Sequence, residues 1–162
     1  MLIATGYFDS GGNPTIKISV YGIANEFAQE FEAIIDTGYT GFLSLPLVSA
    51  FPLGLTLCGT TSITFGDGSS QVRLTTVGRI KIEDEEHGGV IVLEPNGNQP
   101  LVGMDFLRRF KKALFISKDV INLVDEDALA ALTKAREEST SIEKQEKPST
   151  EPTASTATLP PA

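Results

Sequence analysis

The sequence predicts an all-β fold, mainly antiparallel and closed into a barrel or sandwich, with one short C-terminal helix and a disordered C-terminal tail. Three observations carry that prediction. Apolar residues recur with period two along much of the chain. Clusters of Gly, Asp, Asn and Pro punctuate those runs as turns. Large apolar residues almost vanish after Ser139, where Ser, Thr, Glu, Lys and Pro dominate. The 162 residues suit one ordinary domain, and a hydrophobic content of 41% supports a modest core.

A first short strand runs up to Phe8, and the turn formers Asp9-Ser10-Gly11-Gly12-Asn13-Pro14 reverse the chain. That segment lacks the further ligands and terminal Glu of a calcium loop, so it reads as a turn. The segment 15–21 is a half-buried strand with Ile16, Ile18 and Val20 on its inner face. Strands at 30–35 and 42–45 flank Asp36-Thr37-Gly38, and 47–51 reads as one helical turn stopped by Pro52. Cys58, next to the apolar run 53–57, reads as a buried small hydrophobe.

Next, 61–65 and a long strand with Val72, Leu74, Ile80 and Ile82 on one face form a hairpin across Gly66-Asp67-Gly68-Ser69-Ser70. Gly78 marks a bend or bulge in the long strand. The segment 83–89 is a charged turn that leaves His87 in solvent, and 90–93 is a buried strand before the Pro95-Asn96-Gly97-Asn98 turn. Leu101-Val102-Gly103 is a short apolar strand entering a helix over 104–110, with Met104, Leu107 and Phe110 on one face. Arg108, Arg109, Lys111 and Lys112 complement the C-terminal end of that helix. Strands at 114–116 and 120–124 close the domain. Residues 1–125 therefore form the folded domain, 126–138 a short polar helix with Leu129 and Leu132 on one face, and 139–162 a low-complexity disordered tail.

Charge and composition narrow the function. The formal charge is −8 with no dense Lys/Arg cluster, which argues against nucleic-acid binding. No apolar run reaches the length of a membrane span, and the first residues lack a charged segment followed by a long apolar core. The expectation is a soluble, cytoplasmic protein with no membrane partner. A single cysteine excludes an internal disulfide and a cysteine-based metal site, so no metal or other cofactor is expected.

The chemistry points to Asp36. A carboxylate in a tight turn between two hydrophobic strands costs several kcal/mol, as an order of magnitude, unless it is paired or hydrogen-bonded. Thr37 offers a hydroxyl short enough to bond neighbouring backbone, and Gly38 lets its N–H approach a carboxylate oxygen. A turn residue bonding its own backbone would explain an isolated Asp-Thr-Gly equally well. The context is stronger: Ile34-Ile35-Asp36-Thr37-Gly38, a following apolar strand, a hairpin with a Gly-rich tip, then Leu101-Val102-Gly103 entering Met104-Asp105-Phe106-Leu107.

In that order these motifs resemble the retropepsin-like aspartic proteases, the single-domain retroviral type, in a bacterial-type member. The resemblance covers residues 15–124, and its two motifs lie about 65 residues apart, within one domain. Tyr39 follows Gly38 where the retroviral enzymes usually carry a small residue, whereas bacterial relatives accept bulkier ones. The resemblance implies an acid-protease-like fold and a catalytic Asp36 supported by Thr37 and Gly38. It makes Leu101, Val102 and Gly103 the supporting motif and Gly66, Asp67, Gly68 and Ser69 a flap over the substrate. With one Asp-Thr-Gly per chain, it implies a homodimer contributing one Asp36 from each copy, acting on a peptide or protein held as an extended strand. Dimer contacts through a C-terminal strand would fall on 120–124, and apolar residues near the turn suggest hydrophobic side chains at the cleaved bond. The alternative is a catalytically silent dimerisation or protein-binding module on the same fold.

Overall fold

The computed structural model describes residues 3–23, 27–131 and 133–134. The expected tail at 139–162, most of 126–138 beyond residue 131, and Leu132 lie outside them. The chain divides into two units, Met1–Leu129 and Ala130–Ala162. Of the second unit only residues 130, 131, 133 and 134 are described, and they are helical.

Period-two patterning produces the first unit as predicted. Its described elements are β1 (Ile3–Phe8), β2 (Pro14–Gly22), β3 (Ala28–Ile35), β4 (Leu43–Pro46), α1 (Leu47–Ala50), β5 (Leu57–Thr64), β6 (Ser70–Ile82), β7 (Glu85–Glu94), β8 (Leu101–Val102), α2 (Met104–Arg109), β9 (Lys112–Ile116) and β10 (Ile121–Asp125). The strands follow the order β5-β6-β7-β4-β8-β3-β2-β1-β10-β9, and an additional β2–β6 pairing joins strands distant in that order. That pairing closes β6, β7, β4, β8, β3 and β2 into a barrel, so these strands have no open edge between them. Ile16, Ile18 and Val20 of β2 point into it with Leu43, Leu45 and Ile80, all at most 2% exposed. Each such side chain contributes about 1.5–3 kcal/mol by leaving water.

Beneath the barrel, Phe106 of α2 stacks between Phe42 and Phe110, with ring centroids 6.3 and 4.7 Å away. The helix face predicted from Met104, Leu107 and Phe110 is thus centred on Phe106, which is fully buried. Among the described residues, no helix is long and apolar enough to cross a membrane.

Several local expectations are corrected. Pro52 does not stop the chain at α1: a 3-10 turn continues through Phe51–Leu53, with Pro52 near its start, and Gly54 ends it at φ 58°. The strand expected from Thr61 begins at Leu57, and Cys58 is exposed on it. The cause is that β5 is an edge strand, an arm joined among the described strands to β6 alone; none of its residues is buried. On the same arm Val72 is 68% exposed, although Ile80 and Ile82 on the same stripe are buried. Gly78 is not a bulge but a close approach, in register with both Gly22 and Gly89. A Cβ there would stand 2.6 Å from Ile91 Cδ1 and 2.7 Å from Tyr21 O. The register shift sits instead between Leu57 and Gly59.

The charged turn is shorter than expected, because β7 already starts at Glu85. His87 is consequently half-buried in that strand, edge-on to Phe110 at 4.5 Å. Lys112 does not serve the end of α2. It begins β9, where its enclosed Nζ donates to Glu85 Oε1 at 2.6 Å and to Asp125 Oδ1. Finally, β10 is paired on both sides, by β1 and by β9. Among the described strands the open edge of that part of the sheet belongs to β9, so 120–124 is not free to pair with a second copy.

Candidate active site

The strand pattern that ends β3 at Ile35 delivers Asp36 to the end of the barrel. Here β3 runs parallel to β8, with Ile34 opposite Leu101 and Ile35 opposite Val102, while β8 runs antiparallel to β4. The Leu101-Val102-Gly103 segment thus lies between the two strands that flank the Asp36 turn. Asp36 N–H donates to Val102 O at 2.9 Å, tying the turn to that segment.

Within the turn, Gly38 N–H donates to Asp36 Oδ1 at 2.9 Å and Tyr39 N–H to Asp36 O at 3.1 Å. The first of these is the contact expected of Gly38. Thr37 is exposed, and the hydrogen bonds that close the turn run through its two successors. The half-buried carboxylate therefore has one oxygen oriented by a backbone dipole.

The turn is also locked from below. Met104 N–H donates to Tyr39 O at 2.8 Å, and Asp105 N–H reaches Thr40 O and Gly41 O at 3.3 and 3.2 Å. Helix α2 has no side-chain cap, so the carbonyls of the turn satisfy donors that a helix start leaves unpaired. This is the physical link between the two motifs. Gly103 is required for space: a Cβ there would run into the carbonyl oxygens of Tyr39 and Gly41. Gly41 in turn leaves room for the Tyr39 ring. Tyr39 donates its hydroxyl to Leu43 O at 3.3 Å. Burial, followed by the charges of Glu94 and Asp105, pushes that phenol up to about 12.

Opposite the turn stands the β5–β6 hairpin. Its tip is closed by Phe65 N–H to Ser69 O at 2.8 Å and Gly68 N–H to Phe65 O at 2.9 Å. Gly68 adopts φ 81°, a conformation that glycine takes without strain. Asp67 Oδ1 accepts the Ser69 N–H at 2.8 Å, and the Ser69 hydroxyl and N–H hold that carboxyl below the usual carboxylate range.

A cavity of about 600 Å³ separates the turn from the hairpin. It brings together Asp36 and Gly38 from the turn, Leu101 from β8 and Gly66 from the hairpin. Thr37, Asp67, Gly68 and Ser69 are not part of its lining, and neither are Val102, buried in the core, and Gly103. The lining also includes Tyr39, Ser44, Ile63, Thr64, Phe65 and Glu94, which sequence reasoning missed as site residues. A signal existed for Glu94, a carboxylate ending the apolar run 90–93. Ser44, a polar residue inside the apolar β4, offered another. Among the described residues, no group of His, Cys, Asp or Glu side chains is placed to hold a metal ion.

No protein-family model matches the chain, and no curated protein matches it in sequence. In three dimensions it is similar to a retropepsin-like aspartic protease from Rickettsia conorii, with a TM-score of 0.53 and 21% identity over 75% of this chain and 87% of that one. It is also similar to the EIAV protease complexed with the inhibitor HBY-793, with a TM-score of 0.54 and 15% identity over 67% of this chain and 98% of the other. The fold is thus retropepsin-like.

Proposed function

We propose that the protein is a homodimeric aspartic endopeptidase of the cytoplasm, hydrolysing peptide bonds with a water activated by two Asp36 carboxylates, one from each chain. The observation that carries this reading is the position of Asp36: its carboxylate, oriented by Gly38 N–H, lines a cavity that the β5–β6 hairpin faces. The retropepsin-like fold supports it, since both solved proteins named above are proteases.

A two-fold axis beside the turn would set one Asp36 against its copy. Two carboxylates that close share a proton and titrate as a unit. The ionised one takes a proton from water, and the resulting hydroxide attacks the scissile carbonyl, which the protonated partner polarises. Collapse of the tetrahedral intermediate expels the amine, which leaves with a proton from the pair. Thr37 and Gly38 support the catalytic loop, with Leu101, Val102 and Gly103 beneath it. The Gly66 to Ser69 tip acts as a flap, offering backbone groups to an extended substrate.

Asp36→Asn should reduce cleavage of an unstructured protein at least ~10³-fold, the scale of losing a positioned acid–base group. Sedimentation should still show the dimer. Undiminished cleavage by Asp36→Asn would overturn the reading. An intact wild-type dimer that cleaves nothing would favour the catalytically silent binding module.

A further inference from the structure

The cavity holds a second carboxylate, Glu94, and its lining contains no Lys or Arg side chain. Glu94 closes β7, and register fixes its offset from Leu101 along the strands. Leu43 stands opposite Val102, whose carbonyl accepts the Asp36 N–H, and Ser44 stands opposite Leu101. On its other side β4 runs parallel to β7, with Pro46 opposite Glu94. Glu94 therefore lies two residues beyond the Ser44–Leu101 row, or about 7 Å at the rise of a strand. In an extended peptide, side chains on one face recur at the same interval. The lining thus combines the apolar side chains Ile63, Phe65 and Leu101 with the polar Ser44 and Glu94.

Glu94 is also held in place. Arg73 of β6 donates Nε to Glu94 Oε2 at 2.8 Å, and its guanidinium lies 6.0 Å from the centroid of the Phe65 ring. The Glu94 side chain keeps 22% of its surface accessible, so the bridge fixes the carboxylate without enclosing it. A pre-oriented anion in a half-buried wall is a recognition element for a hydrogen-bonding cation.

We propose that Glu94 is a specificity-determining residue, taking a lysine or arginine side chain of an extended peptide one same-face step from the residue over Leu101. Arg73 occupies Oε2, and Oε1 is the acceptor assigned to the incoming cation. This rests on reading the cavity as the peptide-binding cleft. It adds to the sequence expectation of hydrophobic side chains at the cleaved bond: an apolar side chain fills the part near Leu101, and a cationic one pairs with Glu94.

The test uses the full chain carrying Asp36→Asn and fluorescent peptides that differ only at one scanned position, occupied by Lys, norleucine or Glu. At one position the Lys peptide should bind about tenfold more tightly than the norleucine peptide, with Glu weakest, as expected for a hydrogen bond to a charged group. Adding Glu94→Gln should erase that gap, and Glu94→Asp should retain part of it. Arg73→Gln, which removes the bridge but keeps the carboxylate, should preserve the preference. Equal binding of all peptides, no binding of any, a gap that survives Glu94→Gln, or its loss in Arg73→Gln would each overturn the assignment. Cleavage of the same set by the wild type separates the two readings. Cleavage without a Lys preference sinks the specificity and leaves the protease. A Glu94-dependent preference without cleavage does the reverse.

Discussion

The Asp36 turn and the tip of the β5–β6 hairpin face each other across one cavity, yet they are held by opposite means. The turn is fastened to the body. Its carbonyls at Tyr39, Thr40 and Gly41 accept N–H groups from the start of α2, and its first amide donates to β8. The hairpin tip bonds to itself, through Phe65, Gly68, Asp67 and Ser69, and β5 has no buried residue. A carboxylate placed by the core should be as stable as the core, whereas a hairpin held by its own backbone can open locally at lower free energy. Rigidity belongs to the floor of the cavity, and freedom to its cover.

Gly103 gives the sharpest way to break this contrast. Its φ of −116° suits any residue, so conformation is not what demands glycine here. Space demands it, because a methyl group would collide with two backbone carbonyls of the turn rather than with a yielding side chain. Gly103→Ala should cost about 3 kcal/mol in urea unfolding, the upper range for overpacking, and remove activity with it. Hydrogen exchange in β5 should stay unchanged in the same variant, since a local opening does not feel a penalty shared by its closed and open forms. A cost below about 1 kcal/mol would mean that the packing of Gly103 does not hold the turn.

Lys112, just beyond α2, tests the other end of the same support. Its side chain is fully enclosed, while Glu85 and Asp125 keep 33% and 31% exposure, so solvent partly screens the cluster. Lys112→Met should cost about 2 kcal/mol, less than breaking a wholly buried pair, because the orphaned carboxylates can rehydrate. Burial alone would lower the lysine, but the hydrogen bonds it donates to Asp125 and Glu85 outweigh that and hold the ammonium above its ordinary value. A raised folded-state value means the contribution is complete below about 10.4, the ordinary lysine value, and is lost as pH rises through the raised one. The stability gap between wild type and Lys112→Met should therefore be constant at neutral pH and shrink above about pH 10.4. A gap that widens there would contradict the ion-pair account.

What the sequence revealed follows the same division. The barrel was legible because Ile16, Ile18 and Val20 alternate strictly and one face of β2 is buried. The turn was legible because Asp36, Gly38 and the Leu101-Val102-Gly103 segment form an ordered pair of motifs, and Gly103 occupies a position with no room for a side chain. The hairpin misled wherever apolar residues were taken to mean burial: Cys58, Val72 and Leu74 look like core but stay exposed on the hairpin at the edge of the sheet. Lys112 and His87 misled in the opposite direction, since a polar residue reads as surface until its partners, distant in sequence, are known. Glu94 carried a weak signal, a carboxylate ending an apolar run, but only the β4–β7 register shows that it reaches the cavity.

The smallest effects lie at the hairpin tip, where two glycines separate conformation from space. A Cβ on Gly66 or on Gly68 meets nothing within 4 Å, so neither substitution is opposed by packing. Only Gly68 has a positive φ, 81°, which an alanine adopts at a cost of about 1 kcal/mol. Gly68→Ala should therefore speed amide exchange in β5 about fivefold, the equivalent of that cost, and Gly66→Ala should leave it unchanged. Equal acceleration by both would mean that the tip is held by contacts beyond its own turn. No acceleration by either would mean that β5 opens only with the barrel, and the hairpin would then share the rigidity of the Asp36 turn it faces.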